Sequence, residues 1–259
     1  NTNNWYPTYP TMKLGSANNS WLINGQKLNS ASAPALISTQ LSWEKIRTWN
    51  LGFDITAFAN KLSSSLDIYT RYTDDMVGPA RDLSDILGTA VPSMNNTDLK
   101  TYGFEFEVTW RDRLKNGLNY DVKFMLWDSQ TKITRYPNEN GLLTTYRSGQ
   151  KVGEIWGYET IGIAQTDNEM QSHLTSLPNG GQNALGSQWE AGDIMYRDLN
   201  GDGKIDRGAN TLNDHGDYKK IGNNTSRFSF GFNLAADWKG FDMRAFFQGV
   251  MKRDYFQDN

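Results

Sequence analysis

The sequence predicts an all-β protein, a stretch of antiparallel up-and-down transmembrane β-barrel with long extracellular loops. Three observations carry this. Segments of about ten residues alternate strictly between apolar and polar positions, the length a tilted membrane strand requires. Short turns and long polar connections follow one another, as the periplasmic turns and external loops of an outer-membrane barrel do. The apolar faces also carry aromatic side chains at both ends, where the two membrane interfaces would lie.

In chain order, residues 1–47 are the least regular and predict extracellular loop and strand ends. Trp5-Tyr6-Pro7-Thr8-Tyr9-Pro10 suits no central strand, because proline cannot donate to a ladder, and stretches near Met12–Leu14 and Trp21–Ile23 are candidate strand ends. Residues 48–128 predict barrel strands in hairpins. Trp49, Leu51, Phe53, Ile55 and Ala57 alternate with Asn50, Gly52, Asp54 and Thr56. Leu62, Leu66, Ile68 and Tyr72 oppose Asp67, Tyr69 and Arg71. The clearest strand puts Tyr102, Phe104, Phe106, Val108 and Trp110 on one face and Gly103, Glu105, Glu107, Thr109 and Arg111 on the other. Leu118, Tyr120, Val122, Phe124 and Leu126 follow the same rule. Asn60-Lys61, Lys115-Asn116-Gly117 and Lys239-Gly240 have hairpin chemistry, while polar stretches near 73–100 and 129–225 read as long loops. Residues 226–259 predict a further hairpin, with Phe228, Phe230, Phe232, Leu234, Ala236 and Trp238 facing one way, followed by Phe241, Met243, Ala245 and Phe247.

Composition fits this reading. Mean hydropathy is −0.65, which excludes a helical membrane protein but not a barrel, whose strands average lipid-facing with lumen-facing residues. A net charge of −3 gives no support for nucleic-acid binding through a basic surface. The absence of cysteine excludes disulfides, thiolate zinc sites and cysteine nucleophiles. The chain opens on the polar run Asn1-Thr2-Asn3-Asn4, so the expectation is a processed protein or a fragment.

The sharpest local motif is Asp198-Leu199-Asn200-Gly201-Asp202-Gly203-Lys204-Ile205-Asp206. Asp198, Asn200, Asp202 and Asp206 take positions 1, 3, 5 and 9 of an EF-hand-type loop, with glycine at position 6 and the Lys204 carbonyl at position 7. Hard Ca²⁺ prefers such oxygen sets, so a structural calcium ion is expected to pin the long loop. Position 12 is Ala209, and Asp214 or Asp217 would have to supply the missing carboxylate. The bland alternative is a solvated turn that binds nothing. Trp127, Trp156, Tyr158 and Trp189 are candidates for stacking on substrate or a partner, against the alternative that they pack the loop on itself. His173 and His215 belong to no catalytic constellation, and no nucleophile elbow, phosphate loop or zinc-helix motif occurs. An enzyme is not expected.

Several stretches carry a resemblance. Leu41-Ser42-Trp43-Glu44-Lys45 followed by Thr48-Trp49-Asn50-Leu51-Gly52-Phe53-Asp54 resembles a strand signature of SusC/RagA-type TonB-dependent transporters. Tyr69 to Met76, Tyr102-Gly103-Phe104-Glu105, Asp198 to Asp206 with Ile221-Gly222-Asn223, and Gly240-Phe241-Asp242 with Phe246 to Val250 resemble the same family in the same order. The resemblance implies a barrel of about 22 strands filled by an N-terminal plug. It further implies import of oligosaccharides or peptides with a SusD-like surface lipoprotein, driven by the TonB complex acting on the plug. The setting implied is the outer membrane of a Gram-negative bacterium, of the Bacteroidota. No stretch here resembles the plug or its TonB-contacting segment, and Gln257-Asp258-Asn259 is not the terminal aromatic usual in such barrels. The expectation is an internal or C-terminal portion. The runner-up is a secreted, calcium-stabilised β-sandwich that binds carbohydrate, which explains poorly the strand lengths and the alternating loop lengths. A self-assembling adhesin would predict internal repeats, and none is seen.

Overall fold

A computed structural model describes residues 41–79 and 92–256, with a few isolated positions before residue 41. The Trp5–Pro10 segment, and most of the candidate strand ends before residue 41, lie outside the described residues. Six strands form one antiparallel sheet: β1 Lys45–Ala57, β2 Leu62–Gly78, β3 Met94–Arg113, β4 Asn119–Arg135, β9 Arg227–Trp238 and β10 Phe241–Lys252, in the order β1-β2-β3-β4-β9-β10. Each strand pairs with its sequence neighbour except at β4, which pairs directly with β9 across the long insertion.

The register explains why alternation was so legible. Ala57, Ile55, Phe53 and Leu51 of β1 lie opposite Leu62, Ser64, Leu66 and Ile68 of β2, and these lie opposite Trp110, Val108, Phe106 and Phe104 of β3. Val122, Phe124 and Leu126 of β4 continue the rows into Leu234, Phe232 and Phe230 of β9, and then into Ala245, Phe247 and Gly249 of β10. Cross-strand partners share a face, so one apolar surface runs unbroken through all six strands.

Among the described residues no protein layer covers that surface. Phe53, Ile55 and Phe247 remain more than half exposed, and Trp49 is 74% exposed. Among the described residues the buried apolar side chains are Ile133, Ala164, Met170, Leu177, Met195 and Ile205, none of them in the band.

The strands are longer than alternation predicts. Thr73–Gly78, Met94–Lys100 and Ser129–Arg135, expected as loop, continue β2, β3 and β4. The physical reason is that these extensions are polar on both faces, so no hydrophobic period of two marks them. Three irregularities occur there: a bulge at Asp75, whose φ is 60°, and register shifts between Met76 and Val77 and between Asp98 and Leu99. The first hairpin also differs from the two-residue turn at Asn60-Lys61. Phe58, Ala59 and Asn60 all adopt left-handed φ, and the Lys61 N–H donates to the Phe58 carbonyl at 3.2 Å.

The insertion between β4 and β9 is a folded unit. β5 Glu154–Tyr158 pairs with β8 Tyr218–Asn223, and β6 Thr160–Ile163 with β7 Ile194–Tyr196. Between them lies α1, Asp167–Thr175, which starts at Thr166 because that hydroxyl accepts from the Glu169 N–H. Met170 of α1 packs with Ala164, Met195, Leu174 and Trp189. The fully buried Gln182 carboxamide holds this core together, accepting from the Tyr196 N–H at 2.7 Å and donating to the Ile194 carbonyl at 3.1 Å.

Candidate functional site

Behind the apolar surface lies a polar one. Ser65, Asp67, Glu105, Glu107, Met125 and Trp127 line a shallow groove on it. Their placement follows from register alone, since Asp67, Glu105 and Trp127 are successive cross-strand partners. Trp127 is 44% exposed and stands over carboxylates, of which Glu107 pairs with Lys123 at 2.7 Å. Gly103 belongs to this face for a steric reason: a Cβ there would fall 2.9 Å from the Tyr69 hydroxyl and closer still to the Asp128 carbonyl.

At the mouth of the wall, Asp128 and Arg227 tie the insertion's two stems together. Two guanidinium nitrogens donate to the carboxylate at 2.7 and 2.5 Å, and the Phe228 N–H adds a third bond at 3.1 Å.

The Asp198–Asp206 loop folds around Asp198, whose carboxylate accepts from the Gly201 and Gly203 N–H groups at 2.6 and 2.8 Å. Gly201 and Gly203 take φ of 75° and 80°, so the turn needs them. Carboxylate oxygens of Asp198, Asp202 and Asp217 lie within 4.8 Å of one another. Asp217 is fully buried and accepts from the Leu199 and Asp206 N–H groups. Of the two carboxylates considered for the missing position, Asp217 is the one brought in.

Two residues of the motif stand elsewhere than the spacing implies. The Asp206 carboxylate is turned to the Lys204 ammonium and to the Gly208 N–H, and the ammonium holds its pKa below the usual carboxylate range. Asn200 Oδ1 is engaged by the Asp202 N–H at 2.9 Å within the turn itself.

Three of the four aromatic candidates take the alternative of packing within the loop. The Trp156 ring packs under Arg147 at 4.8 Å and against His215 and Tyr218. Tyr158 sits between Tyr196 and Tyr218, and burial pushes its pKa up. Trp189 covers the Met170 core and donates to the Gly186 carbonyl at 3.1 Å. All three pack the insertion on itself, because its short strands bury too little aliphatic surface to do without them. Trp127 alone faces open space.

Sequence reasoning missed the buried ion network beneath Trp156. Arg147 and Glu154, 3.1 Å apart with side chains 6% and 8% exposed, are joined by Lys220 at 3.1 Å. Burial would raise the Glu154 pKa, but the Lys151 N–H and the Lys220 and Arg147 charges outweigh it, leaving it below the usual value. Arg147 and Glu154 meet across the turn that precedes β5, and pairing of β5 with β8 adds Lys220, so no spacing signal announced the three together.

A sheet of long strands, apolar on an uncovered face and polar on the other, with short turns at one end, defines a section of transmembrane β-barrel wall. Residues 2–156 match the family described as TonB dependent receptor-like, beta-barrel. The chain belongs to that family. It is 27% identical over 240 residues to TonB-dependent receptor P3 of Formosa agariphila, covering 88% of this chain and 22% of that protein. It is 23% identical to the TonB-dependent receptor SusC of Bacteroides thetaiotaomicron, over 82% of this chain and 21% of SusC. The fold superposes on the RagAB peptide transporter with a TM-score of 0.62 at 19% identity, covering 95% of this chain and 24% of that one. The chain thus spans about a fifth of the curated relatives' length.

Proposed function

We propose that this chain is a section of the barrel wall, with one large external loop, of a SusC-like TonB-dependent transporter in the outer membrane of a Gram-negative bacterium of the Bacteroidota. The observation that carries the reading is the apolar surface running in register through six strands, with no protein layer over it among the described residues. In lipid such a face is satisfied, whereas in water it would be an aggregation surface. The polar face then lines the substrate chamber, where Trp127 stands over Asp67, Glu105 and Glu107. Stacking on Trp127 suits a sugar ring as well as a peptide side chain, so the cargo is an oligosaccharide or a peptide. The insertion forms part of the outer rim, against which a SusD-like lipoprotein would close. Energy comes from the TonB complex acting on a plug domain, and no residue of this chain takes a covalent step.

The test uses the full-length protein expressed in its native envelope. It is expected in the outer-membrane fraction, with gel mobility that changes on boiling and with a surface lipoprotein copurifying. Recovery from the soluble secreted fraction would overturn the reading and favour the calcium-stabilised sandwich.

We infer in addition that the Asp198 loop holds a structural calcium ion. What supports this is charge: three carboxylates within 4.8 Å, one fully buried, with no cationic side chain paired to Asp198 or Asp217 among the described residues. Asp198, Asp202 and Asp217 would hold the ion, with the Lys204 carbonyl as a further oxygen. Calcium should slow proteolysis of the insertion, and Asp198→Asn should abolish that protection. Equal cleavage with calcium and with chelator would sink the idea.

A further inference from the structure

Moving outward along the uncovered face, toward the long-loop end, the side chains change in layers. The row Leu51, Ile68, Phe104 is apolar. The next is Trp49, Thr70, Tyr102, Gln130, where the Tyr102 hydroxyl donates to the Gln130 side chain at 2.7 Å. The row beyond is Arg47, Tyr72, Lys100, Lys132, and an isolated bridge pairs Lys132 with Lys151 of the insertion, extending it by one more cation. Further out the charges are matched: Lys45 with Asp75, Arg47 with Asp74, and Arg135 with Asp75 and Asp98.

The cationic row is the anomaly. Lys100, Lys132 and Lys151 occupy three consecutive ladder positions, and like charges directly opposite one another repel. Lys100 lies over the Tyr72 ring at 5.2 Å, shared with Arg47 at 5.6 Å from the other side. Among the described residues no carboxylate pairs with Lys100, Lys132 or Lys151. At the short-turn end, by contrast, Lys61 pairs with Asp112 and Arg111 with Asp121. The row sits two residues beyond the aromatic belt, about 7 Å along the strand. On a lipid-facing wall, that level is where headgroup phosphates lie.

We propose that Lys100, Lys132 and Lys151 form a docking row for the phosphate of an outer-leaflet glycolipid. The proposal rests on the barrel reading above. The chemistry is a phosphate monoester held at the depth of the row by acyl chains lying on the Phe104–Phe106 surface. Bound lipid cancels the repulsion along the ladder and fastens the base of the insertion, through Lys151, to the membrane plane.

The test uses full-length protein purified in detergent and titrated with mixed micelles containing bisphosphorylated lipid A, its dephosphorylated form, or inorganic phosphate. Binding is expected for the bisphosphorylated lipid only. The triple variant Lys100→Gln, Lys132→Gln, Lys151→Gln should bind it on the order of a hundredfold more weakly, at about fivefold per charge near an anionic surface. The single Lys132→Gln variant guards against misassembly of the triple and should lose about fivefold. Lys115→Gln, in the opposite turn, should bind as the parent does. Equal binding by parent and lysine variants, equal binding of the dephosphorylated lipid, or saturation by inorganic phosphate alone would each overturn the proposal. Heat-modifiable mobility on the same samples separates the two readings. A parent without it overturns the barrel and this inference together, whereas a heat-modifiable parent without lysine-dependent binding overturns this inference alone.

Discussion

Phe106→Arg is the sharpest perturbation of the wall. Phe106 lies midway between Tyr102 and Trp110 on β3. Each ring is therefore about 14 Å away along the strand at ~3.4 Å per residue, or about 10 Å in depth for a strand tilted by roughly 40°. That places Phe106 near the centre of the apolar band, where an arginine on the lipid face costs about 2–4 kcal/mol. At 1.4 kcal/mol per tenfold, the folded-to-unfolded ratio should fall by roughly 30- to 700-fold at the parent's midpoint. Glu105→Arg moves the same charge to the neighbouring residue on the polar face, beside Asp67, and should cost less than about 1 kcal/mol. The assay is denaturant-dependent folding of the full-length barrel into lipid vesicles, read by heat-modifiable mobility. If the two variants cost the same, or Glu105→Arg costs more, the assignment of faces is wrong.

Three further outcomes follow from the same geometry. Glu154→Gln removes the charge facing buried Arg147 and should destabilise the insertion by about 3 kcal/mol, seen as faster amide exchange in β5 and β8 with exchange in β3 unchanged. Glu154 and Asp206 both have folded-state pKa values below their ordinary ones. Their stabilisation is therefore present above the ordinary carboxylate range and lost as pH falls through the depressed values. Proteolysis of the insertion should stay slow at mildly acidic pH and quicken below about pH 4; loosening that is already complete between pH 5 and 7 would refute the assignment to these carboxylates. Gly103→Ala should impair barrel assembly, because its methyl group meets the Tyr69 hydroxyl and the Asp128 carbonyl; Tyr69→Phe alone should be tolerated in the same assembly assay.

The wall was legible because its physics is periodic. Each of the six strands separates lipid from water across a pleat, so Tyr102 to Trp110 or Phe228 to Trp238 show their faces without any knowledge of partners. Legibility ended where that asymmetry did. Thr73–Gly78 and Ser129–Arg135 are strands carrying mostly polar residues on both faces, and their sequences read as loop. The insertion was opaque for a different reason. Its core joins Met170 of α1 to Met195 of β7 and Trp189, and its ion network joins Lys220 of β8 to Glu154 of β5, through strands of three to six residues that are too short to show a period. The calcium-type motif was visible as spacing, but only the fold selects Asp217 over Asp214 and turns Asp206 away to Lys204.

The insertion leaves the wall at the end of β4 and returns at the start of β9, and those two strands are hydrogen-bonded neighbours clamped by Asp128 and Arg227. The wall therefore carries about ninety residues of folded loop at the tip of one hairpin, with further backbone bonds from residues 149–152 to the end of β4 and from Asn223 to Asp254 beyond β10. Because the entropy of closing a loop grows only logarithmically with its length, the tip can lengthen, shorten or be exchanged while the register below it stays fixed. Descendants of one barrel can in this way diverge in the loop they carry, by grafting new tips onto an unchanged pair of stems.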